Sequence, residues 1–229
     1  YRAMDKLGSA GVSAIAAEAK VDERYLKEWL ASNAARGYVS YDAEADKFSL
    51  TPEQASVFAR ESEPTCIQGL IQGVVGQFVK EDVAIDVFKT GRGRPWGEHH
   101  ECCFCGTERF FRPAYAGHLL DEWIPALDGV EDKLKLGAKV ADIGCGLGTS
   151  SILMAEQFPN STIHAFDFHG PSIEEAKKRA NEKGLSNLEF FVSDAGEIPK
   201  NDYDLACIFD AWHDMGDPVG IAASIKETL

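Results

Sequence analysis

The sequence has no apolar run near the ~18 residues that a membrane-spanning helix needs, so no membrane partner is expected. Its first residues lack a basic stretch followed by an apolar core, so no signal peptide is recognisable, although Tyr1 is not a natural start and a preceding segment could carry one. Positive charge is scarce: 23 Lys and Arg stand against 37 Asp and Glu, a net charge of −14. Because such a field repels phosphate backbones, nucleic acid is not an expected partner either.

Disulfide bonds are not expected, although the even count of six cysteines would allow them. Cys145 lies in a glycine loop and Cys207 in an apolar strand pattern, so a secreted disulfide framework is not indicated and a reducing, cytoplasmic location is expected. The segment 99–105 concentrates imidazoles and thiols, which are zinc ligands, but no second Cys/His pair follows at a finger-like distance. We therefore expect no metal and interpret these thiols as buried or pocket-lining. A reactive thiol that binds a soft substrate is the alternative.

Residues 11–50 show the pattern of a helix-turn-helix followed by a two-stranded wing. Asp22 is placed to cap the second helix and Gly37 to end it in a left-handed conformation. Short strands are predicted at residues 38–41 and 47–50, on either side of a polar turn. Thr51-Pro52 then begins another helix.

The middle of the chain is predicted to be helical, with one junction. Residues 53–90 are expected to be helical, although three glycines weaken the pattern, and a glycine- and arginine-rich loop follows at residues 90–97. A second helical pattern, with a strongly aromatic face, covers residues 107–127. From these features we divide the chain into residues 1–90, 91–137 and 138–229.

After Gly137 the sequence alternates between strands and helices. Strands are predicted at residues 139–143, 162–167, 188–193 and 205–209, and helices at 149–158, 171–184 and from Asp217-Pro218 to the last residue. Alternation of this kind predicts an α/β fold with a parallel sheet, preceded here by the mainly helical winged-helix region.

The segment Asp142-Ile143-Gly144-Cys145-Gly146-Leu147-Gly148-Thr149 lies between a predicted strand and a predicted helix. Glycines at such a turn let the backbone approach a ligand, and the helix N-terminus favours anionic groups. Asp167 ends the next strand, at the spacing of an acid that accepts hydrogen bonds from ribose hydroxyls, while Asp194-Ala195 and Asp210 follow the third and fourth strands. Three acids at successive strand ends predict a nucleoside site at the carboxyl edge of the sheet.

With the motif V-A-D-I-G-C-G-L-G-T, residues 138–229 resemble the class I S-adenosylmethionine-dependent methyltransferases. The dinucleotide pattern would place its third glycine where Thr149 stands, which argues against NAD. The resemblance implies a Rossmann-like domain that binds S-adenosylmethionine as cofactor, and further strands after residue 229. We assign the cofactor to Asp142, Gly144, Cys145, Gly146, Asp167, Phe168, Asp194, Ala195 and Asp210, with Gly144–Gly146 on the methionine part, Asp167 on the ribose, and Asp194 and Ala195 on the adenine.

The segment 209–218 resembles the H-D-W-x-D segment of small-molecule O-methyltransferases, in which histidine is the general base. His213-Asp214 and Asp217 match, while Met215 replaces the tryptophan. The resemblance implies that His213 takes the acceptor's proton, which suits an imidazole with a pKa near ~6.5. Those enzymes, and a bacterial winged-helix group whose segment reads A-L-H-D-M-x-D-P, carry an N-terminal winged helix used for dimerisation, so a homodimer is implied. We expect Trp212, Phe111 and Tyr115 to wall the pocket of a small-molecule acceptor.

Three other interpretations stay open. A winged helix also reads DNA, but the predicted second helix presents Glu23, Arg24, Lys27 and Glu28, a mixed face rather than a basic one. The chain could instead bind or sense S-adenosylmethionine without catalysis, with His213 lacking a partner. Finally, Asp210, Asp214 and Asp217 could bind magnesium in a metal-dependent enzyme.

Overall fold

The computed structural model describes residues 1–229, which form two compact units. The first unit comprises residues 1–79 and 101–113, and the second comprises residues 80–100 and 114–229. The three-part division made from the sequence stays a prediction. No helix in either unit is both long enough and apolar enough to cross a membrane.

The first unit begins with the predicted winged helix. Its elements are α1 (Arg2–Leu7), α2 (Val12–Ala19), α3 (Glu23–Ala35), β1 (Ser40–Asp42), β2 (Lys47–Ser49) and α4 (Pro52–Phe58). Asp22 caps α3 as predicted, because its carboxylate accepts hydrogen bonds from the N–H groups of Arg24 and Tyr25. β1 and β2 pair in antiparallel register, and β1 starts later than predicted because residues 36–39 complete a turn around Gly37, whose φ is 75°.

Most of residues 53–90 is helical as predicted, but the segment is divided into separate helices. After α4 the chain forms two separate helices, α5 (Gln68–Val79) and α6 (Glu81–Thr90). α4 ends before Ala59, whose φ of −121° is not helical, and the N–H groups of Glu63 and Cys66 then close short turns on either side of Pro64. Lys80 separates α5 from α6, since its φ of −112° and ψ of 31° are not helical.

The helix predicted over residues 107–127 is also corrected. α7 (Glu101–Ala114) begins earlier, and residues 115–123 continue it as a π-helix. Pro113 lies at this transition, and its missing N–H interrupts the ordinary hydrogen-bond ladder there. Glycines bring α5 and α7 into backbone contact: a Cβ on Gly69 would lie 2.4 Å from the Phe110 nitrogen, and one on Gly106 2.4 Å from the Gly73 nitrogen.

The second unit contains the predicted parallel sheet. Its strands are β3 (Lys139–Ile143), β4 (Thr162–Asp167), β5 (Leu188–Val192) and β6 (Leu205–Cys207), in the order β5-β4-β3-β6. Asp142 of β3 pairs with Ala165 on one side and Cys207 on the other, so this acid lies between two strands. β5 ends one residue before the predicted residue 193, and β6 ends two residues before the predicted residue 209. Shortly after β6, Asp210 has a φ of 55°, a value that a strand does not accommodate.

Helices cover both faces of this sheet. They are α8 (Val130–Leu136), α9 (Thr149–Gln157), α10 (Gly170–Glu182) and α11 (Pro218–Lys226). Neighbouring residues of β3 point to opposite cores: Val140 packs with residues of α9 and α10, and Ala141 with Ile225 of α11. α11 stops short of the predicted last residue because both the N–H and the hydroxyl of Thr228 donate to the Ile225 carbonyl and close a turn.

Candidate active site

The carboxyl ends of the four parallel strands meet at one edge of the sheet, and a loop leaves each of them. The residues predicted from the sequence at this edge are Asp142, residues 144–146, Asp167 with Phe168, Asp194 with Ala195, and Asp210. Ligands of open parallel sheets bind along such an edge. The structure therefore places the strand-end acids along one edge of the sheet.

The glycine loop after β3 is shaped by backbone that other residues rarely adopt. Gly144, Gly146 and Gly148 have φ values of 74°, 54° and 77°. The N–H groups of Gly144 and Cys145 donate to the Phe166 carbonyl at 2.8 and 3.0 Å. These two N–H groups already have acceptors within the protein. The loop surface at Gly146 is bare backbone, since no atom lies within 4 Å of the position that a Cβ on Gly146 would take.

Asp142 is completely buried at the end of β3. Its Oδ2 accepts hydrogen bonds from the hydroxyls of Ser150 and Ser151 at 2.7 and 2.6 Å, whereas its Oδ1 is buried without any hydrogen-bond partner. Burial raises the pKa of this carboxyl to about 6; the two serine hydroxyls oppose the rise, and the charge of Asp167 adds to it. An acceptor atom left unpaired in the interior is costly, so the Oδ1 of Asp142 is a polar atom that the protein's own donors do not satisfy.

We expect Asp142→Asn to stabilise the protein at neutral pH. Because the pKa of Asp142 is raised in the folded state, the wild-type free energy of unfolding falls as the pH rises from about 4 to 6. Above that range, the free energy of unfolding is lower by about 3 kcal/mol than it would be with an unshifted carboxyl. Asparagine keeps an acceptor for the serines and removes the charge. Urea unfolding at pH 8 and pH 4 measures the difference, which should be large at pH 8 and small at pH 4; a variant less stable than wild type at pH 8 would contradict this account.

Asp167 ends β4 and is only 8% exposed. Its Oδ2 accepts the N–H of Gly146 and its Oδ1 the N–H of His169, both at 2.8 Å, which orients the carboxylate beside the glycine loop. A carboxylate has about four acceptor positions, so two remain for a ligand. Phe168 follows with a half-exposed ring.

The acid after β5 is held more loosely. Asp194 is exposed, and its Oδ1 accepts the N–H of Gly196 at 2.8 Å, which closes a turn. Ala195 packs against the apolar cluster that contains Phe166. The N–H of Ser193 donates to the Asp167 carbonyl at 3.1 Å, so this loop is joined to the end of β4.

The loop after β6 carries the candidate base. Asp210 has a left-handed φ of 55°, a strained conformation of the kind that clusters at functional sites. His213 is largely exposed: its Nδ1 lies 3.8 Å from Asp210 Oδ1, and its Nε2 lies 3.4 Å from Asp214 Oδ1. Trp212 donates from its Nε1 to the Pro218 carbonyl at 3.1 Å, which ties this loop to the start of α11.

Tyr115, one of the three aromatic residues expected to wall the acceptor pocket, lies in the second unit together with the strand-end acids. Its ring lies 5.5 Å from that of Phe209, and burial together with the charges of Asp142 and Asp210 raises the pKa of its hydroxyl, so it stays protonated. Phe111 belongs to the first unit, where its ring packs edge-on against Phe110 at 5.1 Å. The roles of Phe111, Tyr115 and Trp212 in binding an acceptor stay predictions.

Sequence reasoning missed the serines that hold Asp142. Ser150 and Ser151 are buried polar residues in the first turn of α9, and their position directly after the glycine loop was the available signal. Trp123 was predicted only as part of the aromatic face of the helix at residues 107–127; its ring stacks on that of Phe209, with 6.3 Å between the ring centroids. No group of three or more His, Cys, Asp or Glu residues is placed to hold a metal ion, and the six cysteines are free.

Comparison with known proteins finds methyltransferases. The chain is 36% identical over 81 residues to a tRNA (guanine-N(7)-)-methyltransferase of Hydrogenovibrio crunogenus, which covers 32% of this chain and 34% of that protein. It is 34% identical over 96 residues to aklanonic acid methyltransferase DauC of a Streptomyces species, which covers 41% of this chain and 44% of that protein. The chain thus spans between a third and a half of the length of these curated relatives.

A solved structure shows the same fold over nearly the whole chain. Human N-acetylserotonin methyltransferase, in complex with S-adenosylmethionine, superposes with a TM-score of 0.63 at 17% identity, covering 96% of this chain and 66% of that one. Family models match two segments: the Rv2258c-like winged HTH domain matches residues 1–60, and the methyltransferase domain matches residues 134–229. The chain therefore combines an Rv2258c-like winged HTH domain with a methyltransferase domain.

Proposed function

We propose that this protein binds S-adenosylmethionine and transfers its methyl group to a small-molecule acceptor. The observation that carries the proposal is the pair of oriented carboxylates, Asp142 and Asp167, at the bare loop around Gly146. The methyltransferase-domain match over residues 134–229 supports it, as does the S-adenosylmethionine bound in the structurally similar human enzyme.

The residues at the sheet edge fit this cofactor in charge and in shape. The unpaired Oδ1 of Asp142 is an acceptor for the ammonium group, and the free lone pairs of Asp167 are acceptors for ribose hydroxyls. Gly144, Cys145 and Gly146 would line the methionine part with backbone. Asp194 and Ala195 would hold the adenine, beside the exposed ring of Phe168, and Asp210 would close the site from the loop after β6.

When bound, S-adenosylmethionine supplies a methyl group on a sulfonium that is already a good leaving group. The protein therefore has to align the acceptor and remove its proton. His213 is proposed as the base: its Nδ1 lies 3.8 Å from Asp210 Oδ1 and its Nε2 lies 3.4 Å from Asp214 Oδ1, so a neighbouring carboxylate is placed to orient the imidazole. Proton removal leaves the acceptor oxygen, nitrogen or sulfur with the electron pair that forms the new bond to carbon.

A small-molecule acceptor is favoured over a nucleic acid. The net charge of −14 opposes a polyanion, and on α3 the guanidinium of Arg24 is paired with Glu28 at 2.5 Å, as expected for a mixed rather than a basic face. One curated relative is named for aklanonic acid and another for tRNA, so the relatives themselves do not decide the acceptor.

Titration calorimetry with S-adenosylmethionine and S-adenosylhomocysteine tests the first half of this proposal, and a screen for S-adenosylhomocysteine release tests the second. The screen should include phenols, amines, thiols, bulk tRNA and a no-acceptor control. We expect binding of both nucleosides and release with a small molecule. Binding without release in every arm would favour a sensor, and a DNA gel shift at low salt without nucleoside binding would favour a transcription regulator.

We expect His213→Ala to leave cofactor affinity unchanged within about twofold and to lower kcat by ~100-fold or more, the usual contribution of a general base. The loss should shrink at high pH, because there the acceptor ionises without help. Calorimetry with S-adenosylhomocysteine and a pH profile of kcat measure the two effects. An unchanged rate at neutral pH would remove His213 from the mechanism while leaving the cofactor site intact.

A further inference from the structure

The start of α7 carries three of the cysteines of the chain, and these three differ in exposure. Cys103 is buried, Cys102 is half-buried and Cys105 is exposed. A cysteine outside a disulfide is among the most buried residue types in folded proteins, so an exposed thiol beside a half-buried one is unusual. The proposed methyl transfer does not account for thiols at this surface.

Cys103 belongs to the packing of α7 against α5. Its Sγ accepts a hydrogen bond from Gln77 Nε2 at 3.5 Å, and a Cβ on Gly76 would lie 2.8 Å from its backbone nitrogen. Cys103 therefore faces α5, where a thiol is inert because a reagent in solution does not reach it. The thiols left for chemistry are those of Cys102 and Cys105.

Cys102 and Cys105 are spaced as C-x-x-C and lie on one face of α7. Residues three apart on a helix are neighbours, with Cα atoms about 5 Å from each other. That separation is within the ~4.4–6.8 Å found between disulfide-bonded cysteines. Their Cβ atoms, however, are ~5–6 Å apart on a regular helix, whereas a relaxed disulfide holds them at ~3.5–4.5 Å. A bond between the two sulfurs therefore requires this turn of the helix to tighten.

The position of the pair at the helix start allows that adjustment. α7 begins at Glu101, so Cys102 lies in its first turn and Cys105 directly after it. The first turn of a helix has N–H groups without acceptors inside the helix, and it readily narrows to a 3-10 turn in which residues three apart eclipse each other. A disulfide formed there is both strained and exposed, which makes it easy to reduce again.

We propose that Cys102 and Cys105 are a reversible dithiol–disulfide site that exchanges with small disulfides such as glutathione disulfide. The more exposed Cys105 loses its proton and attacks one sulfur of glutathione disulfide, which forms a mixed disulfide and releases one glutathione thiolate. The Cys102 thiolate then attacks the Cys105 sulfur and releases the second glutathione. The two cysteines lose two protons and two electrons, and glutathione disulfide gains both.

This chemistry is independent of the proposed methyl transfer. The pair lies in residues 101–113 of the first unit, outside the segments 1–60 and 134–229 that match the two family models. Two cysteines at this spacing near a helix N-terminus are also the arrangement in which proteins place reactive thiols. The exchange needs no nucleoside, so it can be measured on the chain whether or not S-adenosylmethionine binds.

Mass spectrometry of the folded, complete chain tests this site. After incubation with glutathione disulfide, the chain is unfolded, its remaining thiols are alkylated, and the tryptic peptide 93–109, which contains all three cysteines, is analysed. We expect a disulfide between Cys102 and Cys105, one alkyl group on Cys103, and full reversal by reduced glutathione. The Cys103→Ala variant is the matched control and should form the same disulfide, which excludes a bond between residues 103 and 105.

A second variant, Cys102→Ser, tests the exchange step itself. It keeps Cys105 and should stop at the mixed disulfide with glutathione. That adduct should persist ~100-fold longer than in wild type, because Cys102 acts as an internal thiol at an effective concentration of ~1 mM or more, against ~10 μM thiol in solution. Equal thermal midpoints would show that the variants fold. A wild-type chain that alkylates at all three cysteines, or whose adduct persists as long as in Cys102→Ser, would overturn the proposal without bearing on cofactor binding.

Discussion

Asp167→Ala is expected to weaken binding of S-adenosylhomocysteine by ~100-fold. The carboxylate is held by the N–H groups of Gly146 and His169, and two acceptor positions remain for the ribose hydroxyls. Hydrogen bonds to a charged acceptor contribute about 1.5–3 kcal/mol each, so losing two of them exceeds the 2.7 kcal/mol that corresponds to 100-fold. Titration calorimetry measures the change directly.

Asp22→Ala is the matched control for this experiment. Asp22 also accepts hydrogen bonds from two backbone N–H groups, those of Arg24 and Tyr25, but it belongs to the winged helix rather than to the sheet edge. Its loss should lower stability by about 1 kcal/mol and leave cofactor affinity unchanged. If the two variants bind S-adenosylhomocysteine equally well, Asp167 has only a structural role.

Gly106→Ala is expected to destabilise the first unit by about 3 kcal/mol, although alanine is the better helix former. A Cβ at this position would lie 2.4 Å from the Gly73 nitrogen and 2.7 Å from the Gly69 carbonyl oxygen, both backbone atoms of α5. The two helices would have to move apart, because no flexible side chain is available to give way. Thermal unfolding should show a midpoint lowered by about 10 °C.

Gly73→Ala is the matched control, because it changes helix propensity without bringing a Cβ into steric contact with α7. Gly73 lies in the same pair of helices, but no atom stands within 4 Å of where its Cβ would be. That substitution should raise stability by about 0.5–1 kcal/mol, the ordinary gain of alanine over glycine in a helix. Two substitutions of the same kind should thus have opposite signs, and a stabilising Gly106→Ala would show that α5 and α7 are not in backbone contact.

The features predictable from sequence were those encoded by local spacing. The glycine loop after Asp142, the acids at 167 and 210, and the cap at Asp22 each follow from a pattern within one strand–loop–helix unit, and the structure places them accordingly. The parallel sheet followed in the same way from alternating strands and helices.

What could not be predicted depends on partners distant in the chain or on competing local signals. The helical pattern of residues 53–90 did not show where the segment divides, which is at the turns on either side of Pro64 and at the non-helical Lys80. The contact between Gly69 and Phe110 joins residues far apart in sequence, so no local sequence pattern predicts it. The burial of Asp142 with one unpaired oxygen likewise follows from its place between two strands.

The most direct test of a cofactor site at this sheet edge is a crystal structure of the chain with S-adenosylhomocysteine. The account predicts both ribose hydroxyls within ~3.2 Å of the Asp167 carboxylate and the amino group of the homocysteine moiety on Asp142 Oδ1. A ribose bound away from residue 167, or a glycine loop closed over by side chains with the nucleoside elsewhere, would contradict it.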